Sequence, residues 1–376
     1  MTARVLWLTK GLGLGGAERL LTLTAARIDP SRFVVEVAYL LPWKDAFVPE
    51  LEGSGVATVC LGSRDGADPR WPLRLRRLLR EREYEIVHTH SPVSAAAVRM
   101  LARAPARLIH TEHNMWDRYR RPTYVANALT YPRNDAVIAV SDGVAESIRH
   151  PRWVPGEYPP VETLLHGVEP GSAPRGHEAR VAARRELGID ETVPLMGNVA
   201  NLTPKKDHAG LLAAFELIRQ RIPDAVLLLI GSGPLEAELK AEVRSRSLAG
   251  GVRFLGSRGD VPALLPALDV FVLSSRFEGL PISLLEAMAA EVVCVTTRVG
   301  GIPEAITDGV EGRLVPPSDP PALADALVEV LSDPERRAAL ASMGRQRVVA
   351  EFSIGRAVER TEELYTQLLA SSDSPL

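Results

Sequence analysis

The sequence is poor in several features that would sort it quickly. Its 376 residues hold two cysteines, Cys60 and Cys294. Both fall in apolar, strand-like runs and read as buried free thiols. Two cysteines cannot form a disulfide framework or, alone, a zinc site, and they fit a reducing cytoplasm. No apolar run approaches the roughly 20 residues that span a bilayer. The opening MTARVLWLTKG does not read as a signal peptide. The expected location is therefore cytoplasmic. Aromatic residues make up only 5% of the chain and the formal net charge is -3. With a pI near 6.3, a nucleic-acid partner is not expected, because such proteins need a basic surface interleaved with aromatics.

The apolar content of 46% and charged content of 24% are ordinary for a globular chain. The length exceeds what one core usually holds, so two domains are expected. Apolar runs at 4–9, 33–41, 57–60, 85–90, 107–111, 136–140 and 161–165 alternate with helical stretches, which predicts a doubly wound parallel sheet. The segment 169–177, EPGSAPRGH, then reads as a connection. A second alternating series follows, with strands at 194–199, 226–230, 252–255, 269–273 and 292–296. The predicted division is 1–168, a linker 169–177, a second domain 178–352, and a last helix and tail 353–376. The first 168 residues carry 22 Lys/Arg against 18 Asp/Glu, and the remainder 22 against 29. The first half is the one suited to an anionic partner.

The stretch from Ser274 to Ala290, SSRFEGLPISLLEAMAA, organises the chain. A buried strand precedes it, Gly279 and Pro281 punctuate a tight loop, and Ile282, Leu285, Met288 and Ala289 mark a helix face. Pro281 is expected at the first helical position, where its missing N–H costs nothing. The free amides of the helix end suit an anion. Glu278 and Glu286 flank that end, eight residues apart. As carboxylates they repel a phosphate but accept hydrogen bonds from hydroxyls. Diphosphate on amides and hydroxyls on carboxylates together describe a nucleotide-sugar. Near the N-terminus, Gly11, Gly13 and Gly16 match G-x-G-x-x-G and keep a nicotinamide dinucleotide in play. That pattern needs an acid at the end of the next strand, whereas Glu36 falls early in it.

The run FEGLPISLLEAMA resembles the E-x7-E signature of retaining glycosyltransferases of GT-B fold, family 4, also called group 1. The likeness covers nearly the whole chain in order. It implies an α/β protein of two Rossmann-like domains with parallel sheets facing a cleft and a C-terminal helix crossing back to the first domain. By this resemblance Glu278 contacts the transferred sugar, Glu286 the nucleotide ribose, and the backbone of Gly279, Leu280, Pro281, Ile282 and Ser283 the diphosphate. The loop KGLGLGGAER resembles the family's first loop, which puts Gly15 and Gly16 beside the donor. LIHTEHN resembles the loop whose histidine touches the sugar, here His113. In ANLTPKKDH, Lys206 stands at the family's lysine and Asn201 replaces its arginine, so the diphosphate relies more on Lys206 and the helix dipole. Gly231 and Phe254 lie in further donor-side strand ends, and VGGIPE (299–304) resembles the G-G-x-P-E element. His166 replaces the asparagine of the family's N-G-V-D turn. The catalytic set is thus His113, Glu278 and Lys206, with a UDP- or GDP-sugar as donor, a hydroxyl acceptor, no cofactor and no required metal.

Three other features admit two readings each. Arg70 to Arg82, RWPLRLRRLLRER, holds six arginines and could meet an anionic membrane or pack as a surface helix. His88, His90, His110 and His113 end two successive strands and either raise zinc as a candidate or only cap loops. The stretch 115–133, rich in aromatics and arginine, roofs the acceptor side in the family and either meets the acceptor or a lipid surface, compatible with a lipid-linked acceptor, or simply packs. Rival functions are a nucleotide-sugar 2-epimerase, a nicotinamide oxidoreductase and a non-catalytic nucleotide-sugar binding module.

Overall fold

A computed structural model describes residues 2–62, 68–102, 105–165, 167–171 and 173–371. The chain divides into two compact units, Met1–His166 with Ile354–Leu376, and Gly167–Ser353. His166 lies outside the described residues. The helix Gly176–Leu187 begins within the segment read as a linker.

Unit 1 is built on seven parallel strands: β1 (Ala3–Thr9), β2 (Phe33–Tyr39), β3 (Ala57–Cys60), β4 (Ile86–Thr89), β5 (Arg107–Glu112), β6 (Ala136–Ala139) and β7 (Val161–Thr163). Their order in the sheet is β3-β2-β1-β4-β5-β6-β7. The chain therefore winds outward from β1 in one direction and restarts at β4 in the other. Leu6 and Leu8 of β1 pack with Leu75, Leu78 and Val98 from the helices Trp71–Arg82 and Pro92–Leu101. The apolar face of the arginine-rich helix is thus spent on the core. Cys60 corrects the expectation of a buried thiol: it is exposed, because β3 is an edge strand. Cys294 is buried, and burial pushes its thiol well above the usual range. The first helix runs from Gly16 to Ala25.

The last helix, Ile354–Ala370, belongs to unit 1. Its Glu362 accepts from the Asp29 amide at 2.8 Å and pairs with Arg32 at 2.7 Å. Its Tyr365 is fully buried and its hydroxyl accepts from Trp7 Nε1 at 2.8 Å. A hydrogen bond to β1 from a residue 358 positions away makes the chain's end part of the first unit's core.

Unit 2 repeats the plan with six strands: β8 (Leu195–Val199), β9 (Val226–Ile230), β10 (Val252–Gly256), β11 (Val270–Leu273), β12 (Cys294–Thr297) and β13 (Gly312–Val315). Their order is β10-β9-β8-β11-β12-β13, all parallel. The helix His208–Arg221 buries Leu211, Leu212, Phe215 and Ile218 against β-strand residues such as Leu227 and Leu229. Arg184 is 1% exposed and ties the helix Gly176–Leu187 to this sheet. Its guanidinium donates to the carbonyls of Ala267, Asp190, Glu191 and Val193 and to Asp269 at 2.8 Å. Asp269 in turn accepts from the Leu195 amide that opens β8. Arg184→Ala leaves Asp269 and four carbonyls short of a donor, so it is expected to destabilise unit 2 by about 3–5 kcal/mol. Urea unfolding measures this, and a loss below about 1 kcal/mol would contradict the account.

Candidate functional site

Open parallel sheets bind ligands beyond the C-terminal strand ends, where the winding direction reverses. In unit 2 that point lies between β8 and β11, which are neighbours. The loop after β8 carries Asn201 to Lys206, and the loop after β11 carries Ser274 to Pro281. Topology alone brings together the two stretches singled out by their residues.

The two loops are joined by a short ion pair. Lys206 Nζ donates to Glu278 Oε1 at 2.5 Å, with the two side chains 13% and 6% exposed. Ser275 Oγ donates to the same oxygen at 2.6 Å. Ser274 Oγ donates to the carbonyls of Lys206 and Asp207 at 2.9 and 3.1 Å, and the Arg276 amide to the Lys205 carbonyl at 2.8 Å. Lys206 ends a short 3₁₀ turn, and Asp207, with φ 49°, caps the following helix by accepting from the Gly210 amide. His208 Nε2 lies 3.1 Å from Asn198 Oδ1, and Asn198 Nδ2 donates to the Val272 carbonyl. Burial and the neighbouring lysine charge push the His208 imidazole down to about 4, so it is neutral at pH 7.

The helix after this loop is Ile282–Ala289, one residue later than expected. Pro281 is extended, with ψ 122°, and its carbonyl accepts from the Leu284 amide at 3.1 Å, so it is the N-cap rather than the first helical residue. The amides of Ile282 and Ser283 precede that bond and have no backbone acceptor among the described residues. Ser283 Oγ donates to the Val199 carbonyl at 3.0 Å and pins the helix end to β8. Glu286 is half-buried one turn on. Gly300, with φ +54°, packs so closely that a Cβ would collide with the Glu278 carbonyl, and the Gly301 amide donates to the Gly279 carbonyl at 2.7 Å. Gly231 similarly lies against the Ala200 carbonyl. Asn201 is exposed beside it, and Phe254 sits half-buried on β10 with Lys240 Nζ 5.5 Å from its ring centroid. Lys206, Glu278 and the 279–283 backbone thus form one locality in unit 2.

Unit 1 holds the remaining predicted residues. Gly15 is the N-cap of Gly16–Ala25, and the Glu18 carboxylate folds back into the space a Gly15 side chain would fill. The dinucleotide reading loses its acid here, because Glu36 is buried in mid-strand and accepts from Tyr84 Oη at 2.5 Å. The four histidines fall on both sides of the sheet. His88 pairs in register with Ile109, so strand alternation puts His88, His90, Thr111 and His113 on one face and His110 and Glu112 on the other. Among the described residues no three His, Cys, Asp or Glu side chains gather as metal ligands. His113 Nε2 lies 3.4 Å from His90 Nδ1, and burial pushes the His113 imidazole down to about 4. Glu112 accepts from Trp116 Nε1 at 2.8 Å and from Tyr119 Oη. These bonds and His110 outweigh burial and hold its carboxyl below the usual range, giving it a structural part.

The family model for glycosyl transferases group 1 matches residues 180–347, and that for glycosyltransferase family 4 matches residues 14–170. A GDP-mannose-dependent alpha-(1-6)-phosphatidylinositol monomannoside mannosyltransferase of Mycolicibacterium smegmatis is 30% identical over 295 residues, 74% of this chain and 75% of that protein. The chain belongs to the group 1 glycosyltransferases. Its likeness to a GDP-mannose-dependent monoacylated alpha-(1-6)-phosphatidylinositol monomannoside mannosyltransferase of Corynebacterium glutamicum is 35% over 208 residues, and to an N-acetyl-alpha-D-glucosaminyl L-malate synthase of Bacillus anthracis 33% over 186. These alignments span 54% and 49% of the two relatives, about half their length. The crystal structure of Anabaena HepE in complex with UDP-glucose superposes with a TM-score of 0.85 at 20% identity, covering 97% of this chain and 100% of HepE. The likeness places the fold in the GT-B class.

One supporting residue of the site carried no sequence signal and a second carried an incomplete one. Ser275 has no motif of its own, and only the fold shows its hydroxyl on Glu278. Gly300 was visible within VGGIPE, but its task was not. A side chain at 300 must displace the backbone at 278–279 and adopt a left-handed φ. Gly300→Ala is therefore expected to cost about 1–3 kcal/mol and to weaken nucleotide binding. Thermal unfolding and nucleotide titration check it, and unchanged nucleotide affinity would show that the contact does not shape the site.

Proposed function

We propose that this group 1 glycosyltransferase moves a sugar from a nucleoside diphosphate sugar to a hydroxyl acceptor with retention at the anomeric carbon. The Lys206–Glu278 pair beside the amide end of Ile282–Ala289 is the observation that carries the reading. A lysine ammonium has three N–H donors. One is committed to Glu278, and two remain for phosphate oxygens. Both hydrogen bonds to Glu278 fall on Oε1, so Oε2 remains for a sugar hydroxyl. In the reaction the bond from the anomeric carbon to the distal phosphate oxygen breaks, the bond to the acceptor oxygen forms, and the acceptor proton passes to the departing diphosphate. Lys206 and the helix amides stabilise the charge that develops on that leaving group, in place of a divalent cation. Glu278 orients the sugar, and His113, neutral at pH 7, is the family's further sugar contact. Asn201, Gly231, Phe254 and Glu286 line the nucleotide, with Gly15 and Gly16 the family's further donor contacts. None of the relatives compared above is an epimerase or a nicotinamide oxidoreductase.

The relatives named for GDP-mannose and the neighbour bound to UDP-glucose leave the base open between guanine and uracil. A thermal-shift screen against UDP, GDP, ADP, their sugars and NAD decides it, since a ligand of the folded state raises the midpoint. A shift with NAD alone would overturn the reading. With the donor known, Lys206→Ala is expected to lower turnover by about 10²–10³, in EDTA as in its absence. Unchanged turnover would remove Lys206 from the leaving-group site.

The acceptor we propose is lipid-linked and met at an anionic membrane surface, in glycolipid or cell-envelope polysaccharide assembly. Support comes from the helices Pro92–Leu101 and Arg121–Thr130 of unit 1, which line a groove of about 630 Å³ with Ala96, Met100, Val125 and Leu129. Met100 and Leu129 are 63% and 52% exposed. Residues 118–133 contain no acid, and Arg120, Arg121 and Arg133 are exposed. Each such charge contributes about 1 kcal/mol at an anionic surface. Reversing all three to glutamate is expected to weaken binding to phosphatidylglycerol-containing vesicles by a factor of ten or more. Equal flotation of both proteins would exclude this surface.

A further inference from the structure

One face of the unit 1 sheet carries a row of polar rings that the transfer reaction does not account for. Trp7 of β1 stands beside His88 of β4 in register, and His90 follows on the same face. His88 and His90 stack with ring centroids 4.3 Å apart and planes at 31°, and Trp7 lies 5.1 Å from His90. His90 then faces His113, Nδ1 to Nε2, at 3.4 Å. The inner end of the row is closed by the last helix. Tyr365 Oη is 2.8 Å from Trp7 Nε1 and 2.6 Å from His88 Nδ1, and His88 Nε2 is 2.7 Å from Thr111 Oγ1.

The direction of each bond follows from the donors available. Trp Nε1 can only donate, so the Tyr365 oxygen accepts from Trp7. Turning tyrosine's single proton to His88 Nδ1 gives that buried proton an acceptor, which assigns Nδ1 as the unprotonated nitrogen. The His88 proton therefore sits on Nε2 and is donated to Thr111. A ring bonded at both nitrogens has a fixed tautomer and a fixed plane. Beside the row is a cavity of about 20 Å³ bordered by Thr24, His90, Thr111 and Thr361, enough for about one water. Packing alone leaves these rings room to shift, and the hydrogen bonds take it away.

We propose that Tyr365 is a positioning residue for His113: it locks His88, the locked His88 and Trp7 hold the His90 ring, and His90 sets the place of His113. The proposal rests on the reading that His113 meets the transferred sugar. It makes the C-terminal helix a working part of the acceptor-side unit as well as its closing element.

Tyr365→Phe keeps the ring and removes the hydroxyl. Long-range proton–nitrogen spectra of histidine-labelled protein are expected to show the His88 imidazole protonated at Nε2 alone in the wild type. In the variant that signal shifts together with those of His90 and His113. Turnover is expected to fall about tenfold, the scale of a small misplacement of a sugar-orienting group, with the donor KM within twofold. Glu362→Gln is the control. It loosens the same helix at Asp29 and Arg32 and leaves the row intact, so it should lower the melting temperature and spare turnover. An equal loss of turnover in Glu362→Gln, or unmoved imidazole signals in Tyr365→Phe, overturns the proposal. If Tyr365→Phe does not fold, Thr111→Val removes the other hydrogen bond of His88 and is read in the same way. A wild-type protein that transfers no sugar refutes the functional reading, and the imidazole spectra still decide the relay.

Discussion

A lysine and a glutamate that are both mostly buried are not kept together by mutual attraction alone. Removing each charge from water costs several kcal/mol, and the pair recovers this only where geometry and further hydrogen bonds are right. In unit 2 much of the local structure serves that condition. Ser275 gives Oε1 of Glu278 a second donor. Thr297 holds the Ser275 carbonyl at 2.6 Å, and Ser274 holds the backbone under Lys206. Gly300 lets the 278–279 backbone come within contact of the β12 loop. A ligand with an anion for the ammonium and a hydroxyl for the carboxylate completes both shells without separating the pair, so the arrangement is rigid and receptive together.

The same constraint explains which parts of the site were legible. Glu278, Lys206 and the 279–283 backbone fall in loops between strongly patterned strands and helices, and strand order in a doubly wound sheet forces the loops after β8 and β11 together. Once the sheet forms in that order, the juxtaposition follows. What the pattern could not give was the support. Ser275 reads as a loop serine, and Gly300 as a turn, until the backbone it touches is known. The one-residue shift of Pro281 from first helical residue to cap has the same origin, since its role depends on where its carbonyl finds a donor.

Unit 1 was legible as an architecture and much less so as chemistry. Four histidines at the ends of two strands suggest a cluster only when the sheet is imagined edge-on. Side chains alternate across a strand with period two, so His110 and Glu112 face one way and His88, His90 and His113 the other. Counting from the register of β4 on β5 would have divided them. The exposure of Cys60 is likewise a matter of strand order: its apolar run is genuine, but β3 has a partner on one side only. Order in the sheet depends on long-range pairing, which local sequence does not encode.

The last helix shows the limit most sharply. Its apolar spacing is plain in the sequence, yet nothing near Tyr365 hints that its hydroxyl will sit between a tryptophan at position 7 and a histidine at position 88. Buried polar side chains must find partners, and here three of them, remote in sequence, satisfy one another at a single point. Each is a poor choice for a core alone. Leucine or phenylalanine at all three would bury more apolar surface and remove three polar groups that need partners, at the cost of the bond to the Thr111 hydroxyl. Together they fix a ring orientation, which an apolar core of the same volume cannot do, because dispersion contacts hold a shape and not a tautomer. A polar triad in the floor of the unit is thus better explained by what it orients at the strand ends than by what it adds to stability.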